Sequence, residues 1–385
     1  MYDLAWTMTR LTLKNVAGSF NKHFNFYKKI VGYLVSKMHT FFTAVLLLLI
    51  STFVSAQDIS HQLDNYLSHK KKKNIFNGTA LVVYRGRILL YKGYGYKNIT
   101  SKSYNDTGTF YRIGSLSKPF TATGILMLAE QKELTLKDSL SAFLSGYPRG
   151  DSITIEHLLT HSSGIKEYLE IKTIQVLPDS APPISIERLI DHFKDHPPKN
   201  RPGEKFSYSN SNYILLSAII EKITGKKFED VIRQTIFEPL SMHHSGFDFK
   251  HVSDTNKSTG HVSIKKRILI PEDFDSTYAP GCGSMYSTAM DLYQWYKGLY
   301  NGKVMTESTR EQAFVRRFAN YGYGWFNEKK QGRKCISHAG GVPGFLANMQ
   351  FYPEEDLCII LLSNSSERDI FTDSDKIAAI VLRAQ

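Results

Sequence analysis

The chain has 385 residues, 42% of them hydrophobic and 22% charged, and a formal net charge of +12. This length and balance predict one large or two modest globular domains, and they exclude a collagen, a coiled coil or a wholly disordered chain. The basic residues do not fall in a motif that reads nucleic acid through interleaved aromatic residues, so we expect no nucleic-acid partner.

The N-terminal segment is typical of a secretory signal peptide. An apolar run over 41–54 follows several lysines, and Val54-Ser55-Ala56 forms a small-residue cleavage site before Gln57. We therefore predict that residues 1–56 are an N-terminal extension and signal peptide, and that the protein is exported, periplasmic or secreted. The run is shorter than the roughly 20 apolar residues of a membrane span. An uncleaved N-terminal membrane anchor is the alternative.

After this segment, the pattern predicts a short amphipathic helix over 59–66 that leads into the run Lys70–Lys73. We interpret the lysine run as a solvated helix end, and contact with an anionic membrane or cell-wall polymer is the functional alternative. The strand-like stretches 78–84 and 87–93, with Arg85-Gly86 between them, predict a hairpin.

A long helical middle and a second set of strands follow. Apolar periodicity predicts helices over 120–132, 155–160, 186–193, 213–223, 228–236 and 288–300. Strands are predicted over 323–326, 335–338, 347–352 and 358–362, and a last helix over 373–382. We therefore predict one α+β domain over 57–385. Its mixed, mainly antiparallel sheet comes from both chain ends (about 57–105 and 315–385), is flanked by helices, and surrounds an inserted, mostly helical region (about 106–314).

Cysteine is sparse in this chain, with only Cys282, Cys335 and Cys358. An odd, sparse set in an exported protein is not a disulfide scaffold. Cys335 and Cys358 lie in strand-like runs, so we interpret them as small core residues and do not predict a bridge between them.

The segment Ser115-Leu116-Ser117-Lys118 places a hydroxyl and an amine three residues apart, after Gly114 and before an apolar helical run. Residues at this spacing share a helix face, and an amine near a serine hydroxyl can take its proton. The spacing alone is weak evidence, because it recurs at Ser68/Lys71, Ser163/Lys166 and Ser263/Lys266. A helix cap at Ser115 with a surface lysine is the structural alternative.

Two further segments carry groups suited to chemistry. Tyr208-Ser209-Asn210 follows a turn-rich stretch, and it offers a phenol that can relay protons and an amide that can hold a carbonyl. His338-Ala339-Gly340-Gly341 ends a strand-like run, where glycine permits close approach of a ligand to the backbone. A loop tyrosine packed on the core and a buried histidine before a turn are the structural alternatives.

His157 and His161 stand four apart on a predicted helix, with Glu156 beside them. In the zinc-hydrolase motif the glutamate follows the first histidine, whereas here it precedes it. No third ligand is evident in the sequence, so we predict no metal site and no cofactor.

Together these segments resemble the serine β-lactamase-like family, which includes class C β-lactamases, D-alanyl-D-alanine carboxypeptidases, D-aminopeptidases and related esterases. The three motifs occur in the family's order and approximate separation. The flanking segments that also resemble the family are Ile153–Gly164, Pro202-Gly203-Glu204 and Gly283–Leu292. The similarity extends from about Asn77 to about Asn364, implies a β-lactamase/transpeptidase-like fold, and makes the segment around His161 structural.

The resemblance implies a role for each motif residue. Ser115 is the acylating nucleophile and Lys118 its neutral base, while Tyr208 passes the proton to the leaving group and later helps to activate water. Asn210 holds the substrate's amide carbonyl, and the N–H groups of Ser115 and Gly341 form the oxyanion hole. His338 and Gly340 complete the predicted substrate-binding set.

The sequence departs from the family at His338, where β-lactamases and carboxypeptidases usually have lysine. A lysine is a cation that binds a substrate carboxylate, whereas histidine is mostly neutral at pH 7. We therefore expect a peptidase- or esterase-like serine hydrolase with a small-molecule or peptide substrate, cell-wall peptides among the candidates. The alternative is a catalytically weak penicillin-binding or cell-wall-peptide-binding protein.

Overall fold

The computed structural model describes residues 28–29, 33–38, 41, 58–73, 75–175, 181–264, 267–366 and 369–383. The predicted cleavage site and, apart from Phe41, the apolar run before it lie outside these residues. The chain divides into two compact units, 1–58 and 59–385, and the fold described below is that of the second. Within the described ranges, no helix has both the length and the apolar character that a membrane crossing requires.

Twelve strands occur in the described residues. They are β1 Gly78–Tyr84, β2 Arg87–Tyr94, β3 Tyr96–Asn98, β4 Ser103–Tyr104, β5 Tyr111–Arg112, β6 Val262–Ile264, β7 Arg267–Leu269, β8 Tyr286–Ser287, β9 Phe326–Lys330, β10 Arg333–Val342, β11 Phe345–Tyr352 and β12 Leu357–Ser363. Six of them form the main sheet, in the order β2-β1-β12-β11-β10-β9. The others pair as β3 with β4, β5 with β8 and β6 with β7.

The main sheet joins the two ends of the domain. Strand β1 pairs with β12 along its whole length, from Gly78 opposite Ser363 to Tyr84 opposite Leu357. Strand β12 is buried throughout, which explains why its sequence reads as a continuous apolar run rather than an alternating one. The predicted sheet from both chain ends is confirmed, and every pairing in it is antiparallel.

The α-helices lie around this sheet. They are α1 58–72, α2 Lys118–Glu130, α3 Ile155–Leu159, α4 Lys172–Gln175, α5 Ile186–Asp191, α6 Asn210–Thr224, α7 Phe228–Ile232, α8 Ala289–Tyr300, α9 Glu307–Phe314 and α10 Ile370–Arg383. Helix α10 packs on β11 and β12, and α8 packs on β1 and β12. Helix α6 contacts α2, α3, α5 and α7, so it forms the centre of the inserted helical region.

Several elements differ in their bounds from the sequence-based expectation. Strand β10 extends over Arg333–Val342 rather than 335–338, so His338 does not end it. Helix α1 continues through the lysines to residue 72, and Lys70 lies 2.8 Å from Asp373 of α10. Helix α6 begins at Asn210 rather than Tyr213, because its first turn is polar yet buried and hydrogen-bonded. Strand β9 covers Phe326–Lys330 rather than 323–326, since its polar edge sequence lacks an apolar alternation. All three cysteines are free and buried.

Candidate active site

Ser115 lies in a 3₁₀ turn, Gly114–Ser117, that leads directly into α2. Gly114 has a φ of +51°, a backbone conformation that glycine adopts without strain. The neighbouring Ser117 is fully buried and donates to the carbonyl oxygen of Gly114 at 2.7 Å. Ser115 is half-buried and faces a cavity. The turn therefore presents one serine to a ligand and turns the other into the core.

Lys118 is fully buried at the start of α2. Its Nζ lies 2.9 Å from Ser115 Oγ, 2.6 Å from Asn210 Oδ1 and 2.9 Å from the carbonyl oxygen of Cys282. The same nitrogen lies 4.9 Å from the ring centre of Tyr208. The structure thus brings the predicted nucleophile, base, phenol and amide into one cluster.

Asn210, the first residue of α6, is held by a residue that the sequence reading missed. The Glu167 carboxylate is buried and accepts the backbone N–H of Asn210, and its Oε1 accepts Asn210 Nδ2 at 3.2 Å. Glu167 is 43 residues from Asn210 in sequence. No short sequence spacing links Glu167 to Asn210. The only signal in the sequence was the position of Glu167, a charged residue shortly after the segment that ends at Gly164.

His161 supports the segment that carries Tyr208. Its carbonyl oxygen accepts the N–H of Ser207 at 2.7 Å, its Nδ1 accepts the N–H of Ser209 at 3.2 Å, and its ring centre lies 4.2 Å from that of Tyr208. Burial lowers the pKa of His161 well below its usual value. The imidazole is therefore neutral and acts as a platform for the tyrosine.

His157 has a separate, local role. Its Nδ1 accepts the backbone N–H of Thr154 at 3.2 Å, and the backbone N–H of His157 donates to Thr154 Oγ1. The two hydrogen bonds form a capping box at the start of α3. In the described part of the chain, no group of three or more histidine, cysteine or acidic side chains is arranged to hold a metal ion.

His338 is buried, and both of its ring nitrogens have partners within the protein. Nδ1 lies 2.7 Å from the carbonyl oxygen of Ala339, and Nε2 lies 3.1 Å from the hydroxyl of Tyr321. Since a carbonyl only accepts, the proton is on Nδ1 and Tyr321 donates to Nε2. Burial lowers the pKa of His338 to about 3. The side chain that was predicted to bind substrate is therefore neutral and already bonded.

Gly340 and Gly341 have different places. Gly340 is buried against the serine turn, where an added Cβ would lie 1.8 Å from the carbonyl oxygen of Ile113. Gly341 lines the cavity, and a Cβ on Gly114 would lie 2.7 Å from its nitrogen. Gly340 and Gly114 therefore let β10 approach the turn that carries Ser115.

The backbone of Gly341 faces that turn. Val342 and Phe345 close a two-residue hairpin, so they form a hydrogen-bonded pair, and the next pair, Gly341 and Leu346, does not exchange ladder bonds. The N–H of Gly341 therefore points to the opposite edge of β10. Strand β9 pairs with this edge up to Ser337. Beyond Ser337, no described strand pairs with this edge, and Gly341 lies beside the serine turn. The N–H of Gly341 can therefore donate to an oxyanion at Ser115.

The cavity at Ser115 measures about 270 Å³. The described residues that line it are Ser115, Tyr168, Leu169, Ile174, Asn210, Phe274, Tyr278, Ala279, Cys282, Gly283, Gly341, Val342 and Pro343. None of these residues is charged, and most are apolar or aromatic. Burial raises the pKa of the Cys282 thiol to about 12, so it remains a thiol at neutral pH and does not compete with Ser115 as a nucleophile.

Comparison with known proteins places this chain in a family. A family model described as Beta-lactamase matches residues 63–382. The chain is 32% identical over 323 residues to Penicillin-binding protein 4* of Bacillus subtilis, which covers 77% of this chain and 70% of that protein. The structure of the octameric penicillin-binding protein homologue from Pyrococcus abyssi matches 84% of this chain and 77% of that one, with a TM-score of 0.76 and 28% identity.

A fourth comparison concerns the fold alone. The D-amino acid amidase from Ochrobactrum anthropi matches with a TM-score of 0.76 and 20% identity, over 85% of this chain and 100% of that one. The family model extends over most of the described domain, including Ser115, Lys118, Tyr208 and His338. The chain therefore belongs to the β-lactamase family of serine hydrolases.

Proposed function

We propose that this protein is a serine hydrolase that cleaves an amide or ester bond through an acyl-enzyme on Ser115. The observation that carries the proposal is the 2.9 Å distance from Lys118 Nζ to Ser115 Oγ, with the serine at a cavity large enough for a small substituent. A buried amine bonded to a cavity-facing serine is the arrangement that nucleophilic catalysis requires.

In the acylation step, neutral Lys118 accepts the proton of Ser115 as Oγ attacks the substrate carbonyl carbon. The carbonyl becomes an oxyanion, which the N–H groups of Ser115 and Gly341 stabilise. Tyr208 delivers a proton to the leaving amine or alcohol as its bond to the carbonyl carbon breaks, and the proton that Lys118 took from Ser115 passes to Tyr208 in its place. A water molecule then gives a proton to the base formed by Lys118 and Tyr208 and attacks the carbonyl carbon of the acyl group on Ser115. The bond from that carbon to Ser115 Oγ breaks, and Ser115 recovers its proton.

The site favours substrates that have no carboxylate on the side that faces His338. His338 is neutral, and both of its nitrogens are bonded within the protein. The described cavity lining also carries no charge. These observations support a peptidase- or esterase-like activity over that of a true β-lactamase, with an uncharged group next to the scissile bond.

Export and a cell-wall-derived substrate belong to the same proposal. They rest on the predicted signal peptide and on the names of the penicillin-binding relatives. Lys71, Lys72 and Lys73 are exposed at the end of α1, where they are available to an anionic membrane or wall polymer, whereas Lys70 pairs with Asp373.

The second candidate function is a catalytically weak binder of cell-wall peptides. It is favoured by the name of the Bacillus subtilis relative, a penicillin-binding protein. Intact-mass measurement after addition of substrate separates the two, because a binder keeps a persistent adduct while a hydrolase returns to its free mass.

Labelling with a fluorophosphonate tests the nucleophile. Ser115 Oγ forms a bond to phosphorus, fluoride leaves, and the serine proton passes to Lys118. Ser115→Ala should abolish labelling. Ser68→Ala is a matched control, since Ser68 has the same spacing to a lysine but lies on α1 with its hydroxyl bonded to Asp64. Equal labelling of the wild type and Ser115→Ala would refute the assignment.

A further inference from the structure

Glu167 directly precedes the cavity-lining residues Tyr168 and Leu169 and is held against α6. Its backbone neighbours are tied to α6, because Ser211 Oγ accepts the N–H of Tyr168 at 3.0 Å and donates to the carbonyl oxygen of Lys166 at 2.7 Å. The carboxylate itself is buried and accepts three N–H groups, two from Asn210 and one from Leu169 at 3.0 Å. An ionised carboxylate has acceptor sites for all three.

These contacts determine which way the Asn210 amide faces. A carboxylate only accepts hydrogen bonds, so the part of the amide that faces Glu167 must be the NH₂ group. The amide oxygen must then face the other way, where it lies 2.6 Å from Lys118 Nζ. One N–H of the same NH₂ group remains for a substrate carbonyl.

The orientation of Asn210 in turn determines how Lys118 is used. Two of the three partners of Nζ, Asn210 Oδ1 and the carbonyl oxygen of Cys282, can only accept. A neutral amine has two N–H bonds and one lone pair. Both N–H bonds are taken by these two acceptors, so the lone pair is directed at the third partner, Ser115 Oγ.

We propose that Glu167 is a positioning residue that acts through Asn210 to aim the lone pair of Lys118 at Ser115. The inference rests on the proposed function, in which Lys118 is the neutral base for Ser115. Its specific content is that the negative, acceptor-only character of Glu167 matters, and not merely the volume of its side chain.

Two substitutions separate positioning from packing. Glu167→Gln keeps the size of the side chain but replaces one acceptor oxygen by an NH₂ group, which must then face an N–H donor. Turning the Asn210 amide relieves part of that conflict, but it puts an N–H group where Lys118 had an acceptor, so the lone pair of Lys118 turns from Ser115 to that N–H group. Glu167→Asp shortens the side chain but keeps both acceptor oxygens. A packing role predicts that Asp is the worse substitution, whereas a positioning role predicts that Gln is.

The test is the second-order rate of fluorophosphonate labelling at Ser115, with the melting temperature measured for each variant. We expect Glu167→Gln to slow labelling by about 10-fold to 100-fold, part of the factor that a general base contributes, and Glu167→Asp to slow it less. Glu170→Gln is the matched control, because Glu170 is exposed in the same segment and pairs with Lys166 and Lys199 at 2.8 Å. It should label at the wild-type rate.

A double-variant comparison tests the path through Asn210. In an Asn210→Ala background, Glu167→Gln should change the rate by less than about 2-fold, since the two residues act as one unit. Three results would overturn the inference. Folded Glu167→Gln could label at the wild-type rate, or Glu167→Asp could lose more of the labelling rate than Glu167→Gln. Glu167→Gln could also lower the rate by the same factor with Asn210 and with Asn210→Ala. Absence of labelling at Ser115 in the wild type would instead contradict the proposed function itself.

Discussion

Gly340 packs directly against the carbonyl oxygen of Ile113, so closely that a Cβ built on the glycine would lie 1.8 Å from that oxygen. Ile113 precedes the turn that carries Ser115, and Gly340 precedes the cavity-lining Gly341. The contact therefore sets the distance between the nucleophile and the strand edge whose N–H faces it. A side chain at this position must separate the two.

We expect Gly340→Ala to lower both stability and activity. Forced overpacking in a closed contact typically costs about 1–3 kcal/mol, so the free energy of urea unfolding should fall by at least this amount. Gly108→Ala is the control, because an added Cβ there would meet its nearest atom, Asp106 Oδ1, at an ordinary 3.5 Å. A melting temperature for Gly340→Ala equal to that of Gly108→Ala would show that the contact is not as described.

Lys118→Met should reduce fluorophosphonate labelling of Ser115 by about 10²-fold to 10⁴-fold, the range that a general base supplies. It should also cost about 1–3 kcal/mol of unfolding free energy for each buried acceptor left unsatisfied, since Asn210 Oδ1 and the Cys282 carbonyl lose their donor. Lys166→Met is the control, because Lys166 has the same spacing to a serine but pairs with exposed Glu170. Rapid labelling of folded Lys118→Met would exclude Lys118 as the base.

The free energy of unfolding should decrease as the pH drops below the range in which histidine ordinarily titrates. His338 has a folded-state pKa of about 3, and burial keeps that of His161 well below its usual value near 6.5. Between these values the unfolded chain binds more protons than the folded one. The contribution of each histidine is therefore complete above about pH 6.5 and is lost as pH falls, by up to about 1.4 kcal/mol per pH unit.

Urea unfolding at about pH 7 and about pH 5 measures this loss. In His338→Gln the slope of unfolding free energy against pH should decrease by the contribution of one proton. His69→Gln is the control, since His69 is exposed on α1 and meets water in both states. If His338→Gln and the wild type lose the same free energy between the two pH values, His338 is not held neutral by the fold.

Substrate charge should affect turnover through the cavity. For two D-amino-acid peptides that differ only in a free or an amidated C-terminus, we expect higher kcat/KM for the amide, because the described cavity lining offers no cation. Burying a carboxylate there without a partner carries a desolvation cost. A preference for the free acid would mean that a cationic group reaches the site.

The parts of the site that depend on local spacing were predictable from sequence. Ser115 and Lys118 are three residues apart, and the turn into α2 places them together. The contact between Glu167 and Asn210 was not predictable, since it joins a loop to a helix 43 residues away. The partners of His338 depend on Tyr321, whose position requires the folded segment before β9.

The secondary structure, like the site, could be predicted only in part from the sequence. Apolar runs predicted β1, β11 and β12, because buried strands carry a strong hydrophobic signal. The bounds of β9 and the start of α6 were missed. Their residues are polar and satisfied by distant partners, which hydrophobic periodicity does not report.

The most direct test of the account is a time course of intact mass after mixing the protein with a chromogenic acyl ester. We predict a transient increase equal to the acyl group, located by peptide mapping on Ser115, that decays as the acid product forms. Ser115→Ala should show neither the adduct nor turnover. Ester hydrolysis that continues in Ser115→Ala, or an adduct that maps to another residue, would contradict the claim that Ser115 is the nucleophile.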